Sequence, residues 1–368
     1  MKKVICGLLL FTTVISIVFV LVNCKAYGKI PSPTGLKIPV LSCSSHSIWL
    51  IWNRSDNSQI AYYNIYVDNK KVGNTKNLSA EIGIKHIQKF QSENRKLAKN
   101  LISFHSFNVE NLQPDTDYYF KVSAVDINGR ESVVSVAVKG HTPSNEKNVI
   151  KITDFGAIGD GITVNTTALQ KAINACPFAG TLEIPRGSFV TGSVNLKSDM
   201  TLQLDQGAVL IGSGKASDYI LKKNNHYTGM LNADSISNIR IIGKGTISGN
   251  GWRKDNTGHY YLKANNKSDE NVLNIGILAK AQTESLLNKK YDFKTAYNSR
   301  SSVLVFHNVH NIYLAGITLT NPSMHMIVAN NCNNMRLNNV KVMTYNCNNG
   351  DGIDFSGTDL LIANSYFD

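Results

Sequence analysis

Nine positions near the end of the chain, Asn346 to Asp354, read Asn-Cys-Asn-Asn-Gly-Asp-Gly-Ile-Asp. Asp351 and Asp354 are carboxylates able to hold or transfer a proton, and Gly350 and Gly352 let backbone come close to a ligand. Asn, Gly and Asp are also the ordinary vocabulary of turns, so the stretch alone reads more readily as a plain turn than as a site. Its surroundings have to decide.

Those surroundings repeat. Asn238-Ile239-Arg240-Ile241-Ile242-Gly243, Asn311-Ile312-Tyr313-Leu314-Ala315-Gly316, Asn334-Met335-Arg336-Leu337-Asn338-Asn339 and Asp359-Leu360-Leu361-Ile362-Ala363-Asn364 share one template: Asn or Asp, apolar, any, apolar, any, Gly or Asn. The last three copies start a little over twenty residues apart, a period at which each unit is one coil of a solenoid rather than a hairpin. Stacked coils of short strands bury their apolar positions in a continuous core. Asn165 to Cys176 has turn-forming residues first and then apolar positions at 169, 172, 173 and 176, which predicts a short N-capped amphipathic helix closing the first coil. The irregular stretch from Trp252 to Ser299 interrupts the period and must loop out, where it could wall a binding cleft. Neither Walker spacing nor GxGxxG occurs at the glycines near residues 156–161 or 243–249, so a nucleotide cradle is not indicated.

Residues 29–145 follow another pattern, with short alternating strands separated by turns, as in Ser47 to Asn53 and Tyr63 to Val67. In Leu112 to Ala124 the Leu, Pro, Thr, Tyr, Phe, Val and Ala fall at every second position. Tyr118 stands where a corner tyrosine would return its hydroxyl to the backbone. With Trp52 this segment resembles a fibronectin type III module, carrying a charged insertion at 85–100 that could be helical. With no cluster of exposed aromatics, it is expected to act as a spacer. The linker His141 to Lys147 closes it.

Composition bounds the rest. The 368 residues are 42% hydrophobic and 17% charged, enough for two packed domains. A net charge of +12, dispersed along the chain, suits a polyanionic partner. No Lys/Arg run interleaves with aromatics, so nucleic acid is not expected as that partner. Lys2 and Lys3 before an apolar run from Val4 to Val22 read as an export signal ending near Gly28. The alternatives for that segment are an uncleaved membrane anchor or a lipidated Cys24. Cys43, Cys176, Cys332 and Cys347 show no CxxC spacing, which leaves zinc and redox centres unsupported; Cys332 and Cys347 could pair or simply pack.

These residues carry a family resemblance. Asp154-Phe155-Gly156-Ala157 with Gly159-Asp160-Gly161, then Gln170-Lys171-Ala172-Ile173, Ile184-Pro185-Arg186-Gly187, Gly192 to Leu196 and Gln206 to Leu210 resemble the opening of the pectin-lyase-like right-handed β-helices. Within that group, Asn349-Gly350-Asp351-Gly352-Ile353-Asp354 resembles the Asn-x-Asp-Gly-x-Asp motif of glycoside hydrolase family 28, the polygalacturonases, with Gly350 where the family often has threonine. The attached module and Asn364 to Asp368 point to bacterial exo-acting members. The resemblance covers residues 150–368. It implies an all-β chain: a signal peptide at 1–28, a fibronectin type III β-sandwich at 29–145 and a right-handed parallel β-helix at 146–368, incomplete at its end.

The resemblance also implies chemistry. Family members are inverting hydrolases, in which an acid protonates the leaving oxygen while a carboxylate about 6.5–9.5 Å away activates water. By resemblance Asp351 is a water-activating catalytic carboxylate, with Asn349 and Asp354 supporting it and contacting substrate. The substrate would be an acidic polysaccharide, polygalacturonate or pectin, cleaved at α-1,4 bonds from the chain end. No cofactor or metal is implied, and a secreted or cell-surface monomer is expected, touching a membrane only if the N-terminal segment is uncleaved or lipidated. The family's Gly-Asp-Asp, Gly-His-Gly and Arg-x-Lys are not found in residues 1–368, and Asp368 matches the position just before the first of them. Little or no hydrolase activity is therefore expected of this chain as written. Two other readings stand beside this one. A non-catalytic polyuronide-binding or surface protein is motivated by the positive charge and the missing acid. A β-helical lyase would need calcium carboxylates, for which Asp351 and Asp354 alone are thin.

Overall fold

The computed structural model describes residues 29–55, 59–77, 82–94, 96, 104–145, 148–253, 270–344, 347 and 349–368. The export signal with Cys24, Glu146 and Lys147 of the linker, and Asn346 and Asn348 lie outside the described residues, as do parts of both insertions. Among the described residues no helix is long and apolar enough to cross a membrane.

The first module contains β1 (Ile48–Ile51), β2 (Ile60–Val67), β3 (Lys70–Asn74), β4 (Ser106–Val109), β5 (Thr116–Asp126) and β6 (Val138–Thr142). β1 pairs with β4, and a second sheet runs β3-β2-β5-β6, all antiparallel. The Tyr118 hydroxyl accepts from the Gln113 backbone N–H at 2.8 Å, the corner expected from the sequence. Trp52 meets Tyr63 edge-on in the core at 5.2 Å. Within the charged insertion, Ile82–Glu93 is helix α1. β6 reaches Thr142, so the first two residues read as linker are strand.

β1 departs from the alternation read at residues 47–53, because all four of its residues are buried. Ile48 and Leu50 face the sandwich core, while Trp49 and Ile51 face outward into a second apolar cluster. A strand covered on both sides reads as a continuous apolar run. What covers the second side is the rest of the chain.

That remainder coils. Its strands are β7 (Val149–Lys151), β8 (Asp160–Val164), β9 (Gly180–Ile184), β10 (Gly187–Thr191), β11 (Val194–Asn195), β12 (Met200–Leu204), β13 (Ala208–Gly212), β14 (Leu231–Asp234), β15 (Ser237–Gly243) and β16 (Thr246–Ser248). They continue with β17 (Leu304–His307), β18 (His310–Ala315), β19 (Thr318–Thr320), β20 (Ile327–Asn338), β21 (Lys341–Met343), β22 (Asp354–Ala363) and β23 (Tyr366–Phe367). All pair in parallel. β20 is long enough to pair β17 with its first half and β18 with its second, and β22 follows it along both. The molecule therefore has three faces: β11, β14, β17 and the first halves of β20 and β22; then β7, β9, β12, β15, β18 and their second halves; then β8, β10, β13, β16, β19, β21 and β23. This is the parallel β-helix that the repeat predicts.

Side chains stack in register inside it. Leu182, Leu202, Ile241, Leu314 and Leu337 lie over one another from the second face, and Leu210, Ile247, Leu319 and Val342 from the third. The template's first residue turns the corner between faces one and two. Asn238, Asn311 and Asn334 adopt left-handed φ of 60°, 61° and 60°, which asparagine tolerates. Their amides form a ladder: Asn334 donates to Asn311 at 2.6 Å, Asn311 to Asn238 at 2.8 Å and Asn238 to Asp199 at 2.7 Å.

Helix α2 (Thr166–Ala175) closes the first coil, with Leu169, Ala172, Ile173 and Cys176 buried as the spacing predicts. The expected side-chain cap is absent. Asn165, itself buried, instead accepts from Ile158 N at 2.7 Å and donates to the Ile158 and Thr163 carbonyls, so its amide is spent on the preceding turn rather than on the helix end. In the second insertion, α3 (Leu278–Leu287) and α4 (Phe293–Asn298) pack beside the coil.

Candidate functional site

The loop from β21 to β22 is built by successive turns: Cys347 N donates to Thr344 O at 2.8 Å and Gly350 N to Cys347 O at 3.0 Å. A Cβ on Gly350 would lie 2.8 Å from that same Cys347 carbonyl, and one on Gly352 would lie 2.8 Å from the Phe367 ring, so in this loop conformation a side chain at either position would force a neighbour to shift. Asn349 takes a left-handed φ of 57°, and its buried Oδ1 has no partner among the described residues. Asp351 is then pinned to the coil below, since its carbonyl accepts from Met326 N at 2.8 Å. Three residues on, Asp354 opens β22 opposite Val328.

One coil earlier in the same register stands His325. Its Nδ1 is 3.3 Å from an Asp351 oxygen and 3.6 Å from an Asp354 oxygen. Nδ1 makes no aligned hydrogen bond with either, so the contact is one of proximity. The imidazole is mostly buried, at 19% exposure, whereas Asp351 is 61% and Asp354 45% exposed. Ligand atoms of the three lie within 4.8 Å of one another, a set that could also take a divalent cation.

Period-two alternation carries the surface onward from Asp354. Asn232, Asp234, Val305, His307, Val328, Asn330, Asp354 and Ser356 share the outer side of the first face. Among them His307 pairs with Asp234 at 3.2 Å, and a bond from Ser235 followed by the His307 contact holds the Asp234 carboxyl below its usual range. A polar strip with two His–Asp contacts thus runs along the helix axis.

Behind the loop sits a small apolar cluster of Trp252, Leu273, Ala279, Tyr297 and Cys347, through which the second insertion packs on the site. Burial pushes the Cys347 thiol up to about 12, so it is a packing residue and not a nucleophile. All four described cysteines are free: Cys332 lies in the main core and Cys347 in this smaller cluster.

Asp351 and Asp354 are brought together, while Asn349 lies on the turn that presents Asp351. His325, His307, Asp234 and the buried Arg300 have no sequence motif to mark them. For His325 the signal was the register: stepping back by the offset between Val328 and Asp354 leads from Asp351 to it.

Comparison with known proteins adds three findings. Residues 31–139 match the fibronectin type III domain. Over 92% of its length the chain is 38% identical to an exo-poly-alpha-D-galacturonosidase of Dickeya chrysanthemi, covering 60% of that protein. A solved Yersinia enterocolitica family 28 exopolygalacturonase superposes with a TM-score of 0.85 at 33% identity, over 92% of this chain and 64% of that one. The chain thus spans about three fifths of the length of these relatives and resembles them through both its module and its coils.

Proposed function

We propose that this chain, which shares its fibronectin module and β-helix with the family 28 exopolygalacturonases, is the water-activating part of an exo-acting polygalacturonase. The observation that carries the reading is the placing of Asp351 beside Asp354 over His325, at the head of a β-strand on the exposed polar face. Its substrate would be an acidic polysaccharide of α-1,4-linked galacturonate met outside the cell. The net charge of +12 favours association with such a polyanion.

The carboxylate spacing supports one division of roles. An inverting hydrolase keeps its acid and base about 6.5–9.5 Å apart so that water and sugar fit between them. Oxygens of Asp351 and Asp354 within 4.8 Å of each other are too close for that, so both serve the water side. Asp351, the more exposed, takes the proton of water, and Asp354 and His325 fix its position. The leaving oxygen then needs an acid other than Asp354.

A chimera tests this. Residues 1–368 by themselves should bind polygalacturonate in affinity electrophoresis while releasing few reducing ends. Joined to the C-terminal portion of the Yersinia enterocolitica enzyme, they should release sugar from chain ends with inverted anomeric configuration by proton NMR. Binding without any hydrolysis by the chimera would favour a polyuronide-binding protein, and unsaturated, ultraviolet-absorbing products would mean a lyase. Either outcome overturns the proposal.

A further inference from the structure

Arg300 follows directly on the second insertion and is 3% exposed. A cation removed from water is destabilising unless it is paired, and the partners of Arg300 among the described residues are carbonyls and aromatic rings. Its guanidinium lies 3.6 Å from the centroid of the Tyr297 ring and 5.4 Å from that of Trp252. Nε donates to the Tyr297 carbonyl and Nη1 to the Ser323 carbonyl at 2.6 Å, while Nη2 has no partner among the described residues. Burial pushes its pKa down to about 10, so it stays charged at neutral pH.

The groups it holds belong to three different segments. Tyr297 is on α4, Ser323 is two residues before His325, and Trp252 and Tyr297 pack with Cys347, four residues before Asp351. A methionine of similar length would fill this space without a buried charge, and such replacements are often stabilising where a charge serves packing alone. The fork, however, ties the insertion to the His325 turn in a way an apolar side chain could not.

We propose that Arg300 is a positioning residue for the carboxylate pair, through which the inserted helices set where His325 and Asp351 stand. This rests on the reading of Asp351 as the water-activating group. The test compares Arg300→Met, Arg300→Lys and Arg336→Met, the last removing a buried cation that pairs with Asp359 away from the site. Three quantities are measured on the folded chain: thermal midpoint, affinity for a galacturonate trimer, and the ring resonances of His325. Arg300→Met should weaken trimer binding about tenfold or more and move the His325 resonances. Arg300→Lys should recover part of both, and Arg336→Met should lower the midpoint without touching either. A merely structural Arg300 would lower the midpoint while leaving affinity and His325 at wild-type values, which overturns the proposal. If Arg300→Met does not fold, Arg300→Lys decides by the same two readouts. Failure of the wild-type chain to bind the trimer would count against the functional reading, and the His325 resonances would still judge Arg300.

Discussion

The rings of Trp49 and Tyr313 lie with centroids 6.3 Å apart, and this contact joins the fibronectin module to the second face of the β-helix. Around them Leu41 and Ile51 of the module meet Ile242, Ala315, Leu361 and Ala363, which point outward from β15, β18 and β22. Asn364 donates to Ser106 Oγ at 2.9 Å, and His86 of α1 stacks on Tyr366 at 3.7 Å. The module is therefore a packed component of the fold, not the spacer its sequence suggested. Trp49→Ala should cost about 3–5 kcal/mol, as truncation of a fully buried aromatic does. Near-ultraviolet circular dichroism should report one common transition for both parts. Separate melting of the two parts, with the β-helix at its wild-type midpoint, would show that the interface is not stabilising.

Asp351→Asn keeps the shape of the side chain but removes the carboxylate proposed as the base. In the chimera with the C-terminal portion of the Yersinia enterocolitica enzyme it should lower kcat by about 10²–10⁴-fold with the melting temperature little changed. Asp354→Asn should cost less, because Asp354 is proposed to support the base rather than to accept the proton. Steady-state kinetics on a reduced oligogalacturonide would settle the order, and a larger loss from Asp354 would reverse the roles assigned above.

Gly350 tests the loop itself. Alanine there would bring a methyl against the Cys347 carbonyl at 2.8 Å, and backbone is hard to displace. The expected cost is about 1–3 kcal/mol, with a loss of substrate affinity as Asp351 moves. Chemical denaturation together with calorimetric binding measures both, and an unchanged affinity would mean that the loop yields without moving the carboxylate.

Much of this architecture was legible in the sequence, for a physical reason. A solenoid repeats one local solution, so the asparagines at 238, 311 and 334 announced the corner they turn, and the apolar positions of residues 165–176 announced the cap. Asp351 was legible because its motif is continuous in sequence. His325 and Arg300 were not, since they reach the site from one coil below and from the insertion, and contacts between coils depend on a register that only the folded stack fixes. The two-sided burial of β1 was visible in the unbroken run Ile48-Trp49-Leu50-Ile51, but a short apolar run does not say what lies on its second side.

The asparagine ladder makes a prediction that separates hydrogen bonding from backbone strain. Asn311→Ala loses amide bonds to both neighbouring coils and places alanine at φ 61°, whereas Asn311→Gly loses the same bonds without the strain. Alanine should destabilise by about 2–4 kcal/mol and glycine by roughly 1 kcal/mol less. Equal losses in urea denaturation would assign the whole effect to the ladder.

Asp160, in the first coil, gives the acid limb of stability a specific source. Its carboxylate accepts from Ile162 N at 2.8 Å, from Thr163 N at 2.7 Å and from the Thr163 hydroxyl at 2.7 Å, and the backbone bond from Thr163, followed by that from Ile162, holds its pKa down to about 2. An unfolded aspartate titrates near 3.9, so the folded form binds its proton less readily than the unfolded one. The stabilisation is thus fully present above about pH 4 and is lost as the pH falls from there towards 2. Asp160→Asn should be less stable than wild type at neutral pH, and the two should converge below about pH 2. A gap between their thermal midpoints that stays constant from pH 6 to pH 2 would show that the ionised carboxylate does not stabilise this turn.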